Sequence, residues 1–156
     1  MAIYERDLIP RLAREVGDTD IANLYYSTDV LFSALNDGLE DFNEDMAQQY
    51  SVTGTGDDAY YTPDPNNTDK RLIVLFSARV LMEGELARQA REAVIHTNPV
   101  GRTDLSKRPE YTERMIKRIT KRIERIKRER NQRLVNDEMY SDDASMELKN
   151  TTTTSA

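Results

Sequence analysis

The chain has 156 residues, 38% hydrophobic and 32% charged, with a formal net charge of −6. No cysteine and a single histidine exclude disulfides, thiolate metal sites, and most catalytic triads and zinc constellations. The length suits one domain, and the modest apolar share suits long amphipathic helices or an unstructured end. The opening MAIYERDLIPRLARE is charged from its fifth residue, so no signal peptide is expected. No run approaches the roughly 18 apolar residues of a membrane span, and a soluble protein made in the cytoplasm is expected.

From Asp7 to Val16, Leu8, Ile9, Leu12 and Val16 recur at helical spacing. Asp7 is the predicted N-cap, Pro10 falls in the first turn, and Gly17 is the predicted stop. Residues 18–27 read as a connection anchored by Ile21, Leu24 and the pair Tyr25–Tyr26. Ser27 or Thr28 then caps a second helix whose buried stripe is Leu31, Leu35, Leu39, Phe42 and Met46. Asp37, Glu40, Asp41, Glu44 and Asp45 form its opposite, solvated face. Gly38 weakens that helix by roughly 1 kcal/mol relative to Ala, which predicts a close neighbour.

Residues 51–68, SVTGTGDDAYYTPDPNNT, are turn chemistry throughout, with a short hairpin possible around Gly54 to Asp58. Thr68 or Asp69 should cap a third helix running to about Ile95. Its segment 72–81 is apolar almost all round and therefore buried, emerging near Glu83 and Gly84. His96 to Pro109 is a second loop. The last helix is expected from about Pro109 to Asn136, with an Ile116, Ile119, Ile123, Ile126 seam of about two heptads. Beyond it, NDEMYSDDASMELKNTTTTSA is acidic and then Thr-rich, without periodicity, and reads as a disordered tail. The expected organisation is a helical domain over 1–136, with a loop insert at 51–68, and a polar tail over 137–156 ordered on binding a partner.

Residues 113–133 hold ten Lys or Arg and three Glu, a local +7 that leaves −13 for the remainder. As a nucleic-acid reader this helix would offer cations to phosphates. Yet the cations surround the Ile seam, and no aromatic residue accompanies them for stacking. A surface neutralised by acidic neighbours, either the second helix or the tail, fits the pattern better, with Glu124–Arg128 and Glu129–Arg133 as i,i+4 pairs. The acids at i,i+4 on the second helix find no Glu-x-x-His partner, so a metal site is not expected. His96 stands in a loop without a paired acid, and Gly54-Thr55-Gly56 is too short for a phosphate loop. No enzyme and no cofactor are expected. Tyr60-Tyr61, in a polar loop, are either tucked onto the bundle or presented to another chain.

The order of these features, with "ALNDGLEDFNED", "LFSARVLMEGELARQA", "GRTDLSKRPEY" and "TERMIKRITKRIERIKRERN" on successive elements, resembles the head–tail adaptor (connector, or head-completion) proteins of tailed bacteriophages. The resemblance covers roughly residues 5 to 135. It implies an all-α fold: a four-helix adaptor-type bundle with two long loops, a long C-terminal basic helix and an extended C-terminal tail. It also implies a virion protein at the head–tail interface, made in the bacterial host cytoplasm. Such proteins form a ring, usually of twelve copies. The ring docks beneath the portal protein, extends the DNA channel, and receives the tail or the next connector. Genomic DNA passes through without specific binding, and no membrane is involved. The residues expected at inter-subunit or portal contacts are Lys121, Arg122, Arg125, Arg128, Tyr60, Tyr61, Asp142 and Asp143. The alternative is a nucleic-acid-binding or packaging-associated protein acting through 113–133.

Overall fold

The computed structural model describes residues 5–18, 24–55, 58–95 and 107–151. Side chains are described to Arg91 in the third helix and from Pro109 to Arg133 in the fourth. The described chain is mostly helical: a 3-10 turn Glu5–Leu8, then α1 Ile9–Glu15, α2 Thr28–Met46, α3 Asn67–Ile95 and α4 Lys107–Thr151. A two-stranded antiparallel sheet, β1 Ser51–Thr53 with β2 Tyr60–Thr62, fills the insert between α2 and α3. The chain forms one compact unit through Ile123 and a second from Glu124 onward.

Local chemistry sets most boundaries. The expected Asp7 cap is replaced by the 3-10 turn, which feeds directly into α1; Leu8 takes the N-cap position without a side-chain bond, and Pro10 sits in the first turn. Gly17 ends the helix at φ +84°, a left-handed conformation that costs glycine nothing. Its N–H and that of Asp18 close on Arg14 O and Ala13 O at 3.2 and 2.8 Å. Ser27 Oγ accepts from Val30 N at the start of α2, as expected. At the other end Ala47 turns left-handed, while Asn43 Oδ1 and Nδ2 clamp Tyr50 N and O at 3.0 and 2.7 Å.

The α3 cap lies two or three residues earlier than Thr68 or Asp69. Asn66 Oδ1 accepts from Thr68 N and Asp69 N, both at 2.9 Å, and Asp69 Oδ2 accepts in return from Asn66 Nδ2 at 2.8 Å. The cap is reciprocal, as in a capping box, but Asp69 accepts from the Asn66 side-chain amide where a capping-box acid accepts from the N-cap backbone N–H. Asp69 also accepts from Tyr50 Oη at 2.8 Å, which ties the segment after α2 to the first turn of α3.

The core lies between α2 and α3, with α1 packed across them. Leu31, Leu35, Leu39 and Phe42 of α2 meet an α3 whose Leu72 to Phe76, Ala78, Leu81 and Met82 are all buried. Each of these Leu, Ile, Val, Phe and Met side chains contributes about 1.5–3 kcal/mol by its burial. Phe42 and Phe76 meet edge to face at 6.0 Å. The two helices approach closely at Gly38, opposite Ser77, the neighbour that the glycine predicts. Ser77 is fully buried and donates its hydroxyl back to Ile73 O at 2.8 Å.

The hairpin pairs Ser51 with Thr62, Val52 with Tyr61 and Thr53 with Tyr60. Alternation along β2 turns Tyr61 into the core, 1% exposed, and leaves Tyr60 half-buried. The 3-10 turn is fastened to this hairpin by Glu5 N donating to Ala59 O at 2.8 Å. That draws the Glu5 side chain inside, where its Oε1 and the Tyr61 hydroxyl have no hydrogen-bond partner among the described residues. Burial pushes the Glu5 carboxyl up to about 7 and the Tyr61 phenol well above its usual range, the Glu5 charge adding to the latter.

A raised carboxyl keeps its proton in the folded chain while the unfolded chain ionises near 4.5. Stability therefore falls as pH rises through the window from about 4.5 to 7, and is level with respect to this group on either side. The loss approaches about 3 kcal/mol for a shift of this size. In urea denaturation followed across that window, Glu5→Gln should remove most of the fall. A variant as pH-dependent as the parent would show Glu5 to be solvated.

α4 begins at Lys107, close to the expected start. Ile119, Ile123 and Ile126 are buried, and Met115 and Ile116 half-buried. Its backbone stays helical through Thr151, fifteen residues past the expected stop at Asn136. Neither Pro nor Gly occurs between Glu110 and Thr151. A polar, aperiodic composition means that the tail has no apolar face to bury, and it does not forbid helix.

Candidate functional site

Charge on the described surface is sorted by helix. On α2, Asp29, Asp37, Glu40 and Glu44 follow one stripe at helical spacing, all exposed and without an ion pair among the described residues. Asp41, beside them, is neutralised by Arg79 Nη2 at 2.9 Å, and the Arg79 guanidinium lies 4.8 Å from the Phe76 ring centroid. On α4, Lys117, Arg118 and Lys121 are exposed and likewise have no ion pair among the described residues.

The predicted contact residues separate into distinct groups. Lys121 is exposed and has no ion pair among the described residues, whereas Arg122 is bound within the chain: its Nη1 and Nη2 both donate to the Glu15 carboxylate at the end of α1. Contrary to the expected partner contact, Arg122 fastens α4 to its own chain, and its guanidinium is engaged there by Glu15. Arg125 pairs with Glu129 along the helix at 3.7 Å, and Arg128 Nε donates to the Glu124 carbonyl. Glu124 takes its ion pair from Lys127 at 3.8 Å rather than from Arg128. Tyr60 is half-exposed at the hairpin edge. Tyr61 is corrected: buried in its own core, it has no surface to present to a partner. Asp142 and Asp143 lie on the helical backbone of α4, but their side chains are outside the described residues, as is His96.

Beside the acidic stripe, a groove of about 530 Å³ opens between the first half of α2 and the middle of α3. Val30, Ala34, Val80 and Leu81 form its apolar floor, Tyr25 and Tyr26 close one end, and Asp37, Glu85 and Arg88 stand on its rim. The two tyrosines are held by Asp18 Oδ2, which accepts from their backbone N–H groups at 2.8 and 3.3 Å. Their rings meet edge to face at 4.9 Å. Tyr26 is half-buried, and burial, followed by the nearby Glu85, pushes its phenol up to about 12. Tyr25 is not the buried anchor expected of it. It is 70% exposed, and its hydroxyl accepts from Arg88 Nη2 at 3.2 Å. Arg88 is in turn paired with Glu85 at 2.6 Å.

Tyr25, Val30 and Tyr111 are the exposed large hydrophobic residues of the described surface, and the first two line this groove. The sequence signal for it is faint: the Tyr25–Tyr26 doublet beside the α2 cap and the bare surface at Gly84. Among the described residues no group of three acids or histidines is placed to hold a metal ion, and no helix is long and apolar enough to cross a membrane. No family model, no characterised protein and no solved structure matches the chain.

Proposed function

We propose that this chain is a structural virion protein, a head–tail adaptor that forms a ring beneath a portal, extends the DNA channel and joins head to tail. In this reading the four helices make an adaptor-type bundle, and the polar segment 137–156 reaches toward the portal. One observation carries it: Asp29, Asp37, Glu40 and Glu44 of α2, and Lys117, Arg118 and Lys121 of α4, are exposed and have no ion pair among the described residues. Two opposite fields on one molecule favour association with further copies and set its register. The exposed apolar groove beside the acids supplies desolvated area for such a contact. Twelve copies at −6 each would carry roughly −70, a lining along which DNA slides without sticking.

The test reverses charge where it is not used to hold the fold. Lys121→Glu with Arg125→Glu spares Arg122 and its bond to Glu15. Ring assembly and capture by a portal ring should be lost at low salt, with helix content by circular dichroism unchanged. Assembly that survives while binding to nonspecific duplex DNA falls would favour the nucleic-acid reading instead. That reading requires micromolar duplex affinity at physiological salt with a steep salt slope.

A further inference from the structure

Part of the acidic stripe and groove on α2 matches part of the exposed basic face of α4 in register. Tyr111, Arg114, Arg118 and Lys121 recur at spacings of three, four and three, a single face of α4. Tyr111 is the exposed aromatic residue at the start of that face, 65% exposed. On α2, Val30, Ser33, Asp37 and Glu40 recur at the same spacings. Aligned in the same direction, Tyr111 falls opposite Val30, Arg118 opposite Asp37 and Lys121 opposite Glu40, each pair separated by 81 positions in the sequence. The matched stretch is about 15 Å long at 1.5 Å per residue.

The complementarity has no outlet within one described chain. α4 is instead tied to the end of α1 through Arg122 and Glu15, and to α3 through Thr112 Oγ1 and Gln89 Oε1 at 3.2 Å. Asp37, Glu40, Arg118 and Lys121 all remain exposed and without ion pairs among the described residues. Among the described residues Arg114 has a loose ion pair within its own helix, with Glu110 at 3.8 Å.

The geometry points to a specific contact: the α2–α3 groove receives the Tyr111–Lys121 face of α4 from a second copy of this chain, the two helices running parallel. Tyr111 enters beside Val30, and the two cations settle on Asp37 and Glu40. Donor face and acceptor groove are different surfaces of one molecule, so the contact is head-to-tail. Such a contact propagates from copy to copy and closes into a ring where the rotation allows. The inference rests on the self-assembling adaptor reading and gives it a subunit interface.

Full-length chains carrying Asp37→Lys with Glu40→Lys, or Arg118→Glu with Lys121→Glu, test it by sedimentation at low salt. Each variant alone opposes like charges, and its self-association should weaken by about 100-fold or more. Mixed in equal amounts, each supplies what the other lacks, and assembly should return. Circular dichroism and thermal melts of each variant check that the fold survives. Reversals that leave assembly as in the parent, or a mixture that stays dissociated, would overturn this interface while leaving parental rings and portal capture in place. A parent that neither assembles nor binds a portal ring would remove the adaptor reading as well.

Discussion

Gly38→Ala should be severely damaging for a change of one methyl group, costing about 2–4 kcal/mol of stability. An added Cβ would stand 2.3 Å from Ser77 Oγ, 2.4 Å from its N and 2.5 Å from its Cα. Two of those atoms are backbone of a buried helix, so rotation of a side chain cannot relieve the clash. The α2–α3 pair would have to separate, loosening Leu35, Leu39 and Phe42 from Leu72 to Phe76. Ala exceeds Gly in helix propensity by roughly 1 kcal/mol, so an uncrowded site would show a gain. Gly84 provides that control: it lies within α3, and a Cβ there meets nothing within 4 Å. Chemical denaturation of both variants should give opposite signs. Equal behaviour would show that the helices do not meet at Gly38.

Asp69→Ala should cost about 2–3 kcal/mol, because it removes the acceptor shared by Tyr50 and Asn66 in a buried setting. Asp69 is 1% exposed and lies in the first turn of α3, where negative charge also favours the helix dipole. Tyr50→Phe should cost about 1 kcal/mol, since it removes one of those bonds and leaves the cap intact. A double-mutant cycle between Tyr50 and Asp69, read by urea denaturation, should give a coupling of similar size. Additive effects would mean that the segment after α2 is not fastened through this carboxylate.

Features generated by short-range pattern were legible in the sequence. The α2 stripe, the all-apolar segment 72–81, the Gly17 stop and the neighbour at Gly38 each follow from helical period or from the demands of glycine. What was missed depends on contacts distant in sequence. Nothing local distinguishes Tyr61 from Tyr60; the strand pairing with Val52 decides which ring turns inward. Glu5 is buried because the 3-10 turn bonds to Ala59, a residue 54 positions away. Arg122 looks like one cation among many until α1 brings Glu15 to it. The continuation of α4 past Asn136 is illegible in the sequence for a different reason: periodicity reports a face to be buried, and a polar helix has none.

The candidate surface divides in the same way. The acidic face of α2 can be read directly from residue spacing, whereas the cations of α4 surround its Ile seam and only the fold separates those already paired, such as Arg122, from the exposed Arg118 and Lys121. The groove cannot, because its floor combines Val30 and Ala34 of α2 with Val80 and Leu81 of α3, and its mouth depends on Asp18 holding Tyr25 in place. Joining the two faces in register requires knowing that Asp37, Glu40, Arg118 and Lys121 are exposed and have no ion pair among the described residues.

The most direct test is the mass and symmetry of the purified full-length chain at low salt, alone and with a portal ring, by mass photometry and electron microscopy. The adaptor reading predicts closed rings of one copy number, seated coaxially on the portal and dispersed by high salt. Particles that remain monomeric in both conditions would contradict it.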